Sequence, residues 1–172
     1  SSYAQAAAMA MGRAMDDVII AAATGTAYTG ETGATSESVQ TAIAASVGTG
    51  TGLNLVKLTT AKRLLDDADV DPSIPRHIIV GPEQLQNLLA VEQVTSSDYN
   101  TVKALVQGEI DSYLGFKFTV SNRLAKSGND RTCIVYAEDG ITLGIGKDIS
   151  ARIDERADKS YATQVYYCQS IG

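Results

Sequence analysis

Apolar residues recur at steps of three and four from the first positions of the chain: Ala4, Ala7, Ala8, Met11, Met15, Val18, Ile19 and Ala22. That spacing gathers them on one face of a helix, with Arg13, Asp16 and Asp17 off it. The alanines favour helix and permit close backbone approach, and the glycine at 25 predicts a stop near Thr24–Gly25. Residues 25–52 then turn to Gly, Thr, Ser and Ala, with a weak alternation at Val39, Thr41, Ile43, Ala45 and Val47 that predicts a short strand. Leu58, Ala61, Leu65 and Ala68 form the stripe of a second helix from about Leu53 to Ala68, with Thr51 and Gly52 as capping candidates and a stop before Pro72. His77 to Val80 reads as a buried strand. Gly81–Pro82 opens a further helix with Glu83 in its first turn, and the polar group Thr95–Asp98 starts another that runs to Gly108.

The last third reads as strand. Phe116, Phe118 and Val120 alternate with Lys117, Thr119 and Ser121, and Cys133 to Ala137 is an apolar run. Asp139–Gly140 is a hairpin signal leading into Ile141 to Gly146. Ile149, Ala151 and Ile153 alternate with polar residues, and Tyr161 to Ile171 closes the chain as a long strand. Helices and strands mix without a regular strand–helix–strand rhythm, so the fold class is α+β.

At 172 residues with 44% hydrophobic content, the chain has the means to bury a core and is excluded from the disordered class. No apolar run approaches the roughly 20 residues of a membrane span, and the first residues lack the pattern of a signal peptide. The chain has no initiator Met, which reads as a piece of a longer protein. Fourteen basic against twenty acidic residues leave a net charge of -6. With no basic cluster, broad nucleic-acid binding is disfavoured. Cys133 and Cys168 sit in apolar, strand-like stretches and read as buried free thiols.

Chemical motifs approach recognition and then break. Gly25 to Thr32 has the glycine spacing of a phosphate-binding loop, but Glu31 stands where a lysine neutralises phosphate, and the segment follows a helix instead of a strand. Gly48, Gly50 and Gly52 before a helix offer backbone N–H groups to an anion, without the dinucleotide fingerprint. Asp67, Asp69 and Asp71 mimic the start of a calcium loop, yet Pro72 stands where glycine is required and Ile78 where a glutamate is. His77, the lone histidine, reads as a packing residue, and one histidine with two distant cysteines makes no usual zinc site. No catalytic constellation, cofactor site or metal site emerges, so the chain does not read as an enzyme. The competing class is an α/β enzyme or anion-binding module using the Gly25–Gly30 or Gly48–Gly52 loop.

Several stretches, in order along nearly the whole chain, carry a resemblance. They are Asp16-Asp-Val-Ile-Ile-Ala-Ala, Gly25-Thr-Ala-Tyr-Thr-Gly30-Glu, Ala61-Lys-Arg-Leu-Leu-Asp66, Ile79-Val-Gly-Pro82, Ser97-Asp-Tyr-Asn-Thr-Val-Lys103, Gly108-Glu-Ile with Leu114-Gly-Phe-Lys-Phe, and Gly144-Ile-Gly-Lys147 with Arg152-Ile-Asp-Glu-Arg156. Together they resemble the major capsid proteins of tailed double-stranded DNA bacteriophages, above all the short-tailed type. The resemblance implies a long spine helix in a peripheral lobe over 1–24, an axial lobe of sheet flanked by helices over 25–147, and strands returning to the peripheral lobe over 148–172. It further implies an ordered core lacking the N-terminal arm and extended loop of such proteins. The implied role is a structural shell protein assembling with itself into hexamers and pentamers around DNA, with scaffold and portal proteins as further partners. DNA would be enclosed without sequence-specific binding and no membrane would be involved. Assembly would take place in the bacterial host cytoplasm, and the product would be the virion capsid. A bacterial compartment shell shares the fold and is a third reading.

The same resemblance brings residues 92–112 toward the capsomer axis, making Asp98, Tyr99 and Lys103 candidate contacts between subunits. It puts Arg152, Asp154, Glu155, Arg156, Asp158 and Lys159 on the returning strand segment. Period-two alternation places Arg152, Asp154, Arg156 and Asp158 on one face with alternating sign and Ile153 opposite, a candidate charge ladder between subunits.

Overall fold

The computed structural model describes residues 2–38, 42–48, 50–90, 96–109, 111–156, 159 and 162–172; at 96–99, 162 and 163 the description is of the backbone. The fold is α+β, and the chain divides into two compact units, Ser1–Val39 with Thr142–Gly172, and Gln40–Ile141.

In the first unit, helix α1 runs over Ser2–Thr24, its length carried by alanine. It closes as the Thr24 hydroxyl donates to the Ile20 carbonyl at 3.0 Å and the Gly25 N–H to Ala22 at 3.2 Å. The apolar face is only half-buried at Met11, Met15, Val18 and Ile19, and Ile20 is the residue of α1 that reaches burial, at 8% exposure. The partner surface is narrow, since α1 packs on β10 (Ala162–Ile171). Strands β1 (Thr26–Thr29) and β2 (Thr35–Ser38) form an antiparallel hairpin turned through Gly30 and Gly33, both at positive φ. The short strand expected between Val39 and Val47 is not found at 42–48, which are irregular and turn at 45–46; positions 39–41 lie outside the described residues.

The second unit is built on a four-stranded sheet of order β4-β5-β3-β8. Its strands are β3 (Arg76–Val80), β4 (Ser112–Tyr113), β5 (Phe116–Val120) and β8 (Ile134–Ala137). β3 pairs parallel with β5 and antiparallel with β8. The pleat sends Ile78, Val80, Phe116, Phe118 and Tyr113 to one face. There they pack with Leu58 and Ala61 of α2 (Leu55–Asp67), Leu85 and Leu88 of α3 (Pro82–Ala90), and Val102 and Leu105 of α4 (Ser96–Gln107). Ile79 and Ile134, on the other face, are buried too, as is Leu124, so β3 reads as a continuous apolar run rather than an alternating one. β5 alternates as expected through Phe116 and Phe118, but Val120 at its end is exposed. A minor hairpin, β6 (Lys126–Ser127) with β7 (Asp130–Arg131), follows β5.

Three local expectations change. The cap of α2 is Asn54, not Thr51 or Gly52: its side chain accepts the Lys57 N–H at 2.9 Å and donates to the Val47 carbonyl at 3.0 Å. Asp139–Gly140 forms a short 3-10 turn and no hairpin, because β8 pairs with β3 whereas β9 (Ile145–Arg156) pairs with β10. The expected strand over Ile141 to Gly146 accordingly begins at Ile145.

Candidate assembly surface

Strand β9 alternates polar and apolar residues from Asp148 to Asp154, whereas its partner β10 mixes the two kinds on both sides. In their antiparallel ladder Arg152 lies opposite Tyr166, Asp154 opposite Gln164 and Arg156 opposite Ala162, while Ile153 faces Val165 and Ala151 faces Tyr167. Directly opposed residues share a face. One side of the hairpin therefore presents Arg152, Asp154 and Arg156, and the other Ile149, Ala151, Ile153, Glu155 and Val165. Every β9 residue except Ser150 is exposed, Ile153 at 72%. The ladder is unbroken from Ser150 to Arg156 and shifts register beyond Cys168.

The charged side also holds a shallow depression of about 450 Å³ lined by Lys147, Ser150, Arg152, Asp154, Gln164 and Tyr166. The Tyr166 phenol is held above its ordinary pKa, first by its hydrogen bond with Cys168 and then by repulsion from the charge that sulfur carries when ionised, with Arg152 pulling the other way. Lys147, Ser150, Gln164 and Tyr166 escaped sequence reasoning because their proximity to Arg152 and Asp154 comes from the register of two strands.

The remaining candidates fall elsewhere. Asp158 lies outside the described residues, and Lys159 is exposed past the end of β9. Asp98, Tyr99 and Lys103 sit on α4 in the other unit, where Lys103 is exposed between the buried Val102 and Leu105.

The motifs that suggested ligand chemistry serve the chain's own structure. Gly25 to Thr32 runs from the end of α1 through β1 into a hairpin turn, the reverse of the strand-to-helix geometry of a phosphate loop. In the 48–52 loop the Lys57 ammonium donates to the carbonyls of Thr51 at 2.9 Å and Gly52 at 2.6 Å, and burial draws its pKa below the ordinary value. The loop thus turns acceptors inward onto its own cation. The aspartates end α2: Val70 N–H bonds Leu65 and Asp69 N–H bonds Asp66, with Asp69 at φ 56, a Schellman close. Asp67 pairs with Arg63 at 2.9 Å, Asp66 with Arg76 at 2.6 Å, and Asp71 accepts the Ser73 N–H at 2.8 Å. His77 is half-buried and stacks on Tyr136, ring centroids 5.3 Å apart. Among the described residues no group of His, Cys, Asp or Glu has the arrangement to hold a metal ion, and no helix is long and apolar enough to cross a membrane. Cys133 and Cys168 are free thiols, both half-buried.

The family described as phage capsid protein matches residues 1–172. No curated protein matches the chain.

Proposed function

The chain belongs to the phage capsid protein family, and from that membership we propose that it builds an icosahedral shell of hexamers and pentamers around a DNA genome. Its role in the virion is structural. The observation that carries the assembly reading is the exposed β9 strand, whose charged side and apolar side both lack cover from the described residues of the chain. In this reading α1 and residues 148–172 form the peripheral lobe, residues 25–147 form the axial lobe, and Asp98, Tyr99 and Lys103 on α4 approach neighbours around the capsomer axis. A net charge of -6 suits a wall that encloses DNA without gripping it. Scaffold and portal proteins are the further partners, and the host cytoplasm is where the shell forms.

Arg152, Asp154, Glu155, Arg156, Asp158 and Lys159 supply contacts between subunits. One exposed pair contributes only ~0–1 kcal/mol, but symmetry repeats it at every contact, so small pair energies set the assembly threshold. Salt weakens such contacts as the Debye length falls from about 10 Å at 0.1 M to about 3 Å at 1 M. Electron microscopy of the expressed protein tests the reading: closed shells are expected, with Arg156→Glu leaving the subunit folded and lowering shell yield. Protein that stays unassembled under every condition refutes the shell, and Arg156→Glu shells at normal yield and unchanged salt tolerance refute the role of the ladder.

A further inference from the structure

We propose that β9 pairs edge to edge with β9 of a second copy, antiparallel about a two-fold axis at Ile153, joining two hairpins into one sheet of order β10-β9-β9-β10. The inference rests on the shell reading and specifies how one of its contacts is made.

The sheet of β9 and β10 has two strands, so among the described residues the outer edge of β9 is unpaired. A long edge of unpaired N–H and C=O groups invites another strand, and isolated two-stranded hairpins are marginal in water. Charges along such an edge repel an arbitrary strand. The charges here, however, are arranged to accept their own copy. With the axis at Ile153, Arg152 of each copy lies opposite Asp154 of the other, on one side of the sheet. Ile153 meets Ile153 on the other side, and Ser150 and Ala151 meet Arg156 and Glu155. No like charges face each other within 150–156. Moving the axis one residue either way sets Arg152 against Arg152 or Asp154 against Asp154, which is destabilising.

Backbone geometry selects the same centre. The regular part of the β9–β10 ladder covers Ser150–Arg156, and the register shift lies beyond its Ser150 end. Ile153 is the midpoint of that regular stretch, so an axis there uses all of it and none of the irregular part. It also covers the residue with 72% exposure. β10 offers no such edge, having no charged residue from Ala162 to Ile171. A two-fold contact is isologous, whereas the contacts that close a ring are heterologous. β9 pairing therefore links one ring of subunits to the next.

Cysteine cross-linking in assembled particles decides the matter. Facing residues in an antiparallel pair have Cα atoms about 4.5–5.5 Å apart, inside the disulfide range of about 4.4–6.8 Å. Ile153→Cys is expected to form a disulfide dimer on mild oxidation. Val165→Cys, on the same side but on the outer strand of the joined sheet, would stand about 14 Å from its copy and is expected to stay monomeric. Adding Asp154→Arg to Ile153→Cys replaces two attractive pairs by two repulsive ones and is expected to lower the cross-linking rate about tenfold. Adding Arg152→Asp as well inverts both signs and is expected to restore it. Ile153→Cys shells without the cross-link, as when another segment or protein occupies the edge, overturn the pairing and leave the shell reading standing. Failure of the double swap to restore the rate overturns the proposed register. If the unaltered chain builds no shells, the shell reading falls, and the same cross-link in solution decides the pairing alone.

Discussion

Replacing Asn54 by alanine removes two hydrogen bonds made by one side chain of 1% exposure: the cap to the Lys57 N–H at 2.9 Å and the tie to the Val47 carbonyl at 3.0 Å. An N-cap contributes about 1 kcal/mol, and a hydrogen bond to a carbonyl that cannot rehydrate freely contributes about as much again. Asn54→Ala is therefore expected to destabilise the second unit by about 2 kcal/mol. The same two bonds are exposed to a change six residues away. Gly48 sits at φ 81, and a Cβ there would lie 2.8 Å from both terminal atoms of the Asn54 side chain. Gly48→Ala thus incurs about 1 kcal/mol of left-handed strain and also displaces Asn54, for a total of about 3 kcal/mol. In the double variant the obstruction is gone and the bonds are lost only once. It too should cost about 3 kcal/mol, leaving a coupling of about 2 kcal/mol between the sites. Because the chain has two units, a single global transition is a poor ruler. Native-state hydrogen exchange of peptides spanning 53–68 reads the opening of α2 directly. Additivity of the two substitutions within about 0.5 kcal/mol would refute the argument.

Asp69→Gly is expected to stabilise the second unit by about 0.5–1 kcal/mol, since Asp69 closes α2 at φ 56, where glycine carries no Cβ penalty; a thermal midpoint that falls would contradict it. Cys133 holds its proton above the ordinary thiol range, mainly through burial, against the pull of the Gly81 N–H and of Arg131 and Lys57. Maleimide labelling at pH 8 should therefore be slower in the native chain than in urea. A raised thiol pKa contributes stability below the unfolded value of about 8.5 that is lost as pH rises through the folded one. Cys133→Ala should flatten that alkaline decline, as urea midpoints across pH would show.

How much of this was legible beforehand depended on whether burial writes a period into the sequence. The α2 stripe of Leu58 and Ala61 and the β5 pair Phe116 and Phe118 are core residues, and their spacing shows it. β1 and β2 bury almost nothing, so Thr26–Thr29 and Thr35–Ser38 carry no apolar alternation to find. Leu53 extends the apolar pattern and sets the predicted start of α2 two residues early, which puts Asn54, the true cap, inside the predicted helix. Asp139–Gly140 has the residues of a hairpin turn, but strand partners are chosen by the core: Ile134 buries against β3, and β9 goes to β10. At the candidate surface, the alternation of Arg152, Asp154 and Arg156 follows from any extended strand. Their neighbours Gln164 and Tyr166 follow from cross-strand register, which no local pattern encodes.

The two units differ in what holds them together, and that difference bears on assembly. The second has a continuous apolar core of helices on a four-stranded sheet, with Phe116, Leu88, Val80 and Val102 fully buried. Among the described residues of the first, Ile20 is the buried apolar side chain, while Tyr3, Met9, Tyr28, Ile145, Ile149, Ile153, Val165 and Tyr166 are exposed. Exposed apolar area covered on association contributes about 25 cal/mol per Å² before association costs are subtracted. Covering it with neighbours stabilises the bound form by mass action. The unit with the thinner core therefore has the more to gain from contact. In the proposed shell, neighbours that covered these side chains would therefore stabilise the first unit more than the second.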